Sequence, residues 1–329
     1  MEYVSLGSSG LKVSRVCLGT MTYGSKNWRK WVLEEDESRP FVKRAFELGI
    51  NYIDTANMYS LGASEEILGR ALKDFAPPRD QYVISTKLYM AMGEDPNQWG
   101  LGRKHIRHSV EDSLRRLGLD YIDILIIHRF DEQTPVEETL RALDDLVREG
   151  KILYTGASSM MAWQFSKLLY TADKLNVARM ILMQNHYNIV YREEEREVMP
   201  LCVDEGIAVT PYSPLARGFV VGNRRPKDFG DTLRAQVDDY SKGLYFKPAD
   251  FEVVDRVTAV AEKRGVSNAR VALAWLLHQE GVRSVVIGAT RMEQLEDLVE
   301  AVDFQLDDEE IRSMEEPYQP HKVLVGRQR

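Results

Sequence analysis

Asp54, Tyr59, Lys87 and His128 make up an acid–base set, and three of the four directly follow a short β-like run. The runs are INYI before Asp54, QYVIST before Lys87 and DILII before His128. As successive parallel strands of one barrel they would end on a single face, where the active sites of (β/α)8 proteins are built. Positions 33 apart (54 to 87) and 41 apart (87 to 128) would then meet around one cavity.

The set supports one kind of chemistry. A tyrosine hydroxyl titrates at roughly 10, too high for an efficient proton donor whose conjugate base must also be accessible near neutrality. A lysine ammonium a few ångströms away favours the phenolate, so Lys87 is expected to lower the value of Tyr59. An ammonium is costly to bury alone, and a carboxylate partner, Asp54, would hold it charged and in place. His128 would donate a hydrogen bond to a carbonyl oxygen and orient it. Such a site protonates an oxygen as charge develops on it, but it supplies no electron pair. A hydride must come from a cofactor.

The elements that must position these groups follow one repeated pattern. After a hairpin expected within residues 2–13, with LGSSGL as its turn, apolar runs recur at 16–18, 51–53, 82–86, 122–127, 152–155, 180–184, 208–211 and 284–287. Segments with helical spacing lie between them, at 39–49, 64–75, 107–118, 134–150 and 193–206. Thr134 before Pro135 reads as an N-cap followed by proline at the first helical position, and Gly49, Gly118, Gly150 and Gly206 close helices. Eight strands alternating with helices imply parallel pairing, right-handed crossovers and closure into a (β/α)8 barrel, here a single domain over 1–329. Two loops, 88–102 and 212–249, leave strand C-termini on the expected catalytic face and are long enough to be functional, and a shorter third, 22–38, leaves there too. The 22–38 loop brings Tyr23, Trp28 and Trp31 there as an aromatic wall.

The whole chain sets bounds that agree. With 43 basic against 51 acidic residues the net charge is −8, which argues against nucleic acid or an anionic membrane as the main partner. There is no apolar stretch of about 18 residues that would span a bilayer. The opening MEYVSLGSSGLKVSR lacks the charged and apolar regions of a signal peptide, so a cytoplasmic location is the default expectation. Cys17 and Cys202 are too few for a disulfide framework and read as core cysteines.

The segments LGTMTYG (18–24), FELGINYIDTANMYSLGASEEILGRAL (46–72), STKLY (85–89), LRRLGLDYIDILIIHRFD (114–131), GKILYTGASSM (150–160), MQNHYN (183–188), TPYSPLARG (210–218) and IGATRMEQLED (287–297) carry a resemblance. Over essentially its full length the chain resembles the aldo-keto reductases, nearest the branch that holds bacterial reductases and voltage-gated potassium-channel β subunits. The resemblance implies a (β/α)8 barrel that uses NADPH, less often NADH, to reduce aldehydes and ketones. The family's catalytic Asp, Tyr, Lys and His fall on Asp54, Tyr59, Lys87 and His128.

The same resemblance implies the cofactor contacts. Thr20 and Met21 lie in its first motif. Ser158 and Gln184 would bond the carboxamide with Asn185 assisting, and Tyr212 would stack on the nicotinamide. Ser213, Pro214, Leu215, Arg217 and Gly218 would wrap the pyrophosphate. Gly288 and Thr290 would lie at a helix N-terminus, where free donors favour phosphate. Arg291 would pair with a 2′-phosphate, with Gln294 and Asp297 near the adenosine. Tyr23, Trp28, Tyr89, Arg129 and Tyr187 are the expected substrate wall. One departure stands out: the branch commonly has Glu then Asn where this chain has Asp297 and Leu298, which puts an adenine contact in doubt.

Other features read as structural. His105 and His108 share a helix face without a carboxylate or cysteine set, so they are expected on a solvated surface and no metal is expected. The run REEEREV (192–198) reads as a charged helix face, and Ser158–Ser159 read alternatively as the cap of a helix beginning near Met161. Two competing functions are a nicotinamide-binding regulatory subunit with slow turnover and a Schiff-base lyase with Lys87 as nucleophile. The retained His128 and the lack of a membrane-partner segment weigh against the first. An acid beside Lys87 and the lack of a phosphate clamp weigh against the second.

Overall fold

The hairpin comes first: β1 (Tyr3–Ser5) pairs antiparallel with β2 (Lys12–Ser14), and the Leu6 N–H reaches the Leu11 carbonyl across the turn at 2.8 Å. Its turn needs glycine, because Gly7 has φ 62° and a Cβ there would lie 2.6 Å from the Ile181 carbonyl oxygen. This computed structural model describes residues 1–225, 228, 230, 232–238 and 243–324.

Eight parallel strands follow: β3 (Val16–Gly19), β4 (Tyr52–Asp54), β5 (Val83–Leu88), β6 (Ile122–Ile127), β7 (Ile152–Ser158), β8 (Met180–Gln184), β9 (Ala208–Val209) and β10 (Val285–Ile287). They pair in the order β10-β3-β4-β5-β6-β7-β8-β9. The two edges meet where the Val286 N–H bonds the Pro211 carbonyl at 2.9 Å and the Arg283 N–H bonds the Val209 carbonyl at 3.0 Å. The fold is a (β/α)8 barrel with an N-terminal hairpin.

Each strand is followed by a helix. In order these are α1 (Glu35–Glu47), α2 (Ala63–Phe75), α3 (Arg103–Leu117), α4 (Val136–Arg148), α5 (Ala162–Leu175) and α6 (Val198–Asp204). The excursion after β9 carries α7 (Leu233–Val237) and α8 (Pro248–Arg264) before α9 (Asn268–His278); α10 (Met292–Glu300) follows β10, and α11 (Asp308–Glu315) packs on α8. No helix among the described residues is long and apolar enough to cross a membrane.

The period of two along the strands decides which side chains face the barrel axis. Tyr52, Val83, Ile124, Ile126 and Leu182 fill the interior, together with Leu6 and Val13 from the hairpin. Counting in steps of two from these residues, Asp54, Ser85, Lys87, His128 and Gln184 continue the inward rows upward. The residues between, such as Ile53, Ile84, Leu125 and Ile127, face the helices. One local rule therefore puts polar groups into the mouth of an otherwise apolar barrel.

Three local expectations are corrected. Pro135 itself is the N-cap of α4, and the Thr134 hydroxyl donates to Asp131 Oδ2 at 2.8 Å instead of capping the helix. The segment 193–206 is a 3-10 turn, Glu193–Arg196, followed after Glu197 by α6. Ser158 ends β7 and Met161 is the N-cap of α5, so neither serine caps that helix. The glycine stops hold, with Gly49, Gly118, Gly150 and Gly206 all at positive φ.

Candidate active site

The upper ends of β4, β5 and β6 bring the acid–base set together. Lys87 is 1% exposed, and its Nζ donates to Asp54 Oδ2 at 2.5 Å, to the Thr55 carbonyl at 2.7 Å and toward the Tyr59 hydroxyl at 3.4 Å. The other carboxylate oxygen, Asp54 Oδ1, accepts from Ser85 Oγ at 2.6 Å and Gln184 Nε2 at 3.1 Å. Tyr59 enters from the turn after β4. His128 presents its ring edge-on to Tyr59 with centroids 6.2 Å apart, and His128 Nδ1 has no hydrogen-bond partner among the described residues.

Electrostatics correct one expectation. Burial pushes the Tyr59 phenol above its ordinary value; Lys87 pulls it down, as expected, but does not win, and Asp54 adds to the rise. Burial also opposes the Lys87 charge, yet Asp54 and Tyr59 together outweigh it and hold Lys87 above the usual lysine value. Burial, then Lys87 and Arg129, hold His128 well below the usual imidazole value. Near neutrality the arrangement is a neutral phenol, a charged ammonium and a neutral imidazole.

The rim continues over β7, β8 and the segment after β9. Ser158 pairs with Gln184 in register, Gln184 also reaching Asp54 as described. Ser159 has φ 50°, its N–H donates to Asn185 Oδ1 at 2.8 Å, and its hydroxyl lies 3.0 Å from the Tyr212 hydroxyl. One face of Tyr212 is covered by His186 at 5.4 Å, which stacks in turn on Tyr191 at 4.7 Å.

The residues fit a dinucleotide. Ser213, Ala216, Arg217 and Gly218 all have positive φ, and the N–H groups of Ser213 and Leu215 have no partner among the described residues. Such turned backbone donors cradle anions. Pro214 is buried and supports the turn, while the Arg217 guanidinium bonds Asp238 Oδ2 at 2.7 Å. Adding a Cβ at Gly288 would meet nothing closer than Thr22 Oγ1 at 3.4 Å, leaving an open approach beside β10. At the start of α10 the N–H groups of Thr290 and Arg291 are held by Gln294 Oε1 at 3.1 and 3.2 Å, and Arg291 is exposed.

Several carried-over residues are already engaged. Thr20 Oγ1 lies 2.9 Å from Ser64 Oγ and is buried; Met21 is half-buried at the rim. Asp297 accepts from Arg270 at 2.7 Å and from Ser267, so it is committed to α9 and not left facing an adenosine. Leu298, where the branch has Asn, is buried in the core.

The aromatic wall is thinner than expected. Tyr23 packs on Phe41 with its hydroxyl bonded to the Ala289 carbonyl, and Tyr187 packs on Trp275 with its hydroxyl bonded to Glu195 Oε1. Both are fully buried behind the rim, and Trp31 is buried as well, 8% exposed. Trp28 is half-buried 6.4 Å from the Tyr59 ring, Tyr89 is half-buried against Trp99, and Arg129 donates to the His128 carbonyl at 2.6 Å.

Away from the rim, His105 is buried and bonded to Ser109, contrary to the solvated pair expected, while His108 is exposed. No cluster that would hold a metal occurs among the described residues. The run 192–198 is not a solvated face: Glu193 and Glu194 are buried, and Asn185 Nδ2 donates to Glu194 Oε2. Burial pushes the Glu194 carboxyl up to about 7, against the pull of the Asn185 hydrogen bond, and Glu193 adds to the rise. No sequence signal marked Glu194, because nothing local separates a buried glutamate from its neighbours. Ser85, two residues before Lys87 on the same strand face, was within reach of the period-two rule.

Comparison with known proteins adds an independent line. The aldo/keto reductase family model matches residues 15–319. The versiconal hemiacetal acetate reductase of Aspergillus parasiticus is 43% identical, over 99% of this chain and 99% of its own. An aldo-keto reductase of Alternaria alternata is 43% identical over 96% of this chain and 91% of its own, and one of Metarhizium robertsii is 40% identical over 98% and 92%.

Proposed function

Because this chain belongs to the aldo/keto reductase family and is an oxidoreductase of carbonyl compounds, we propose that it reduces aldehydes and ketones with NADPH, Tyr59 serving as the general acid. The observation that carries the reading is the Lys87 ammonium, bonded to Asp54 and Thr55 and reaching the Tyr59 hydroxyl beside the His128 ring. When bound, the reduced dinucleotide supplies the hydride. Tyr59 gives its proton to the carbonyl oxygen, and the nearby ammonium stabilises the phenolate that remains. Neutral His128 donates to the same oxygen and positions it.

The dinucleotide would be held by Ser158, Gln184 and Tyr212 at its nicotinamide, by the 213–218 turn at its pyrophosphate, and by Arg291 at a 2′-phosphate. Trp28, Tyr89 and Arg129 would contact the substrate. We read residues 1–329 as one catalytic domain working in the cytoplasm. The Asp54 pairing keeps Lys87 charged, which opposes a Schiff-base role, since that nucleophile must be neutral.

The test is an NADPH-consumption screen over aliphatic aldehydes, aromatic aldehydes, sugars and quinones, with Tyr59→Phe run beside the wild type. Loss of a general acid lowers turnover by about 100-fold or more, while NADPH binding followed by fluorescence quenching is unchanged. Equal turnover in the two proteins contradicts the assigned acid.

A further inference from the structure

Two glutamates of the 3-10 turn after β8 are buried, and they serve different ends. Glu193 accepts from the Tyr318 hydroxyl at 2.6 Å and the His321 N–H at 2.7 Å, which ties down the C-terminal segment. Glu194, 4% exposed, instead accepts from Asn185 Nδ2 at the top of the barrel.

That single bond decides how the Asn185 amide is oriented. Glu194 Oε2 is the acceptor here, and an amide has one donor end and one acceptor end, so the end that meets Oε2 is the donor. With its Nδ2 turned to Glu194, Asn185 must offer Oδ1 on the other side, where the Ser159 N–H donates to it at 2.8 Å. A flipped amide would set donor against donor. Ser159 stands at φ 50°, a left-handed conformation that a residue with a Cβ keeps only when its surroundings enforce it. From this position its hydroxyl lies 3.2 Å from Ser158 Oγ and 3.0 Å from the Tyr212 hydroxyl. The Asn185 carbonyl also accepts the Tyr212 N–H at 2.9 Å. Asn185 is thus the node joining the ends of β7, β8 and β9, and Glu194 orients the node.

We propose that Glu194 is a positioning residue of the nicotinamide cradle: it orients Asn185 and, through Ser159, sets the Ser158 and Tyr212 hydroxyls without itself touching the cofactor. Asn185 then acts through its neighbours and is not a direct carboxamide ligand. This inference rests on the proposed function, because the rim formed by β7, β8 and β9 must receive a nicotinamide.

The experiment titrates the full-length wild type, Glu194→Ala and Glu194→Gln with two probes. NADPH carries the nicotinamide; 2′-phospho-ADP-ribose has the same phosphates and lacks it. Glu194→Ala is expected to weaken NADPH about tenfold, the equivalent of about 1.4 kcal/mol from one orphaned buried donor, and to leave 2′-phospho-ADP-ribose within about twofold. Glu194→Gln, whose amide oxygen still accepts from Asn185, is expected to restore NADPH binding to within about threefold of wild type. Should the alanine variant not fold, Glu194→Leu fills the same volume without an acceptor and carries the same expectation. Unchanged NADPH binding, or equal weakening of both probes, overturns the proposal while leaving the proposed function standing. A wild type that binds neither probe takes down both.

Discussion

Replacing Asp54 by Asn tests whether the Lys87 ammonium depends on a single carboxylate. At 2.5 Å and an effective dielectric of about 20, the ion pair is worth about 6 to 7 kcal/mol. An amide oxygen in the same place still accepts a hydrogen bond worth about 2 kcal/mol. The remainder, about 4 to 5 kcal/mol, agrees with the roughly 3–5 kcal/mol typical of breaking a buried pair. The other Lys87 contacts, the Thr55 carbonyl and the Tyr59 hydroxyl, carry no full charge to compensate. The loss depends on pH. In the wild type Lys87 is raised, so its contribution is complete below its unfolded value of 10.5 and is lost as pH rises through the higher folded value. Without Asp54 burial dominates, the folded value drops, and the variant recovers as Lys87 deprotonates. The gap between the two proteins is therefore widest near neutrality and narrows toward pH 10. Removing the charge as well, in Asp54→Asn with Lys87→Met, leaves no orphaned ion, and the double variant should lie within about 2 kcal/mol of wild type. Urea unfolding of the four proteins near pH 7 and pH 9.5 gives all these quantities. The reasoning fails if Asp54→Asn costs less than about 1 kcal/mol, or if the double variant loses the sum of the two single ones.

Turnover should fall at high pH as Tyr59 loses its proton, and because burial outweighs Lys87 the fall in kcat/KM belongs above about pH 10. A fall centred near pH 8 contradicts this. His128, held well below the usual imidazole value, should add no step between about pH 6 and 7. Arg291→Ala should weaken NADPH about tenfold and NADH less than about twofold, since only the 2′-phosphate is lost as a partner; equal losses in a binding titration would place that phosphate elsewhere. Glu194 is raised from 4.5 to about 7, so the stability it permits below 4.5 is lost as pH rises through 7. Thermal melts should show Glu194→Gln level with wild type near pH 4.5 and more stable at pH 8, by up to about 3 kcal/mol. A pH-independent difference refutes it.

The barrel and its polar rim were legible because both arise from short-range periods. A strand period of two and a helix period of 3.6 are written in neighbouring residues, as in YID, VISTKL and IDILII, and parallel pairing puts all the strand ends at one level. The same reasoning failed where burial depends on residues far along the chain. Tyr23 and Tyr187 look like members of an aromatic wall from their loops, but Phe41 and Trp275, which bury them, arrive from α1 and α9. Asp297 looked free to meet an adenosine until α9 brought Arg270 against it.

The amino-acid sequence by itself determined the eight strands alternating with helices and the order in which Asp54, Tyr59, Lys87 and His128 reach the rim. Only the tertiary structure decided the charge states and supports at that rim. Burial is a property of the assembled barrel; with Asp54 it raised Tyr59 in spite of Lys87, and it drew Glu194 out of an acidic run to hold Asn185. A side chain's pairing can be read from its neighbours in the chain only when those neighbours are also the ones it touches.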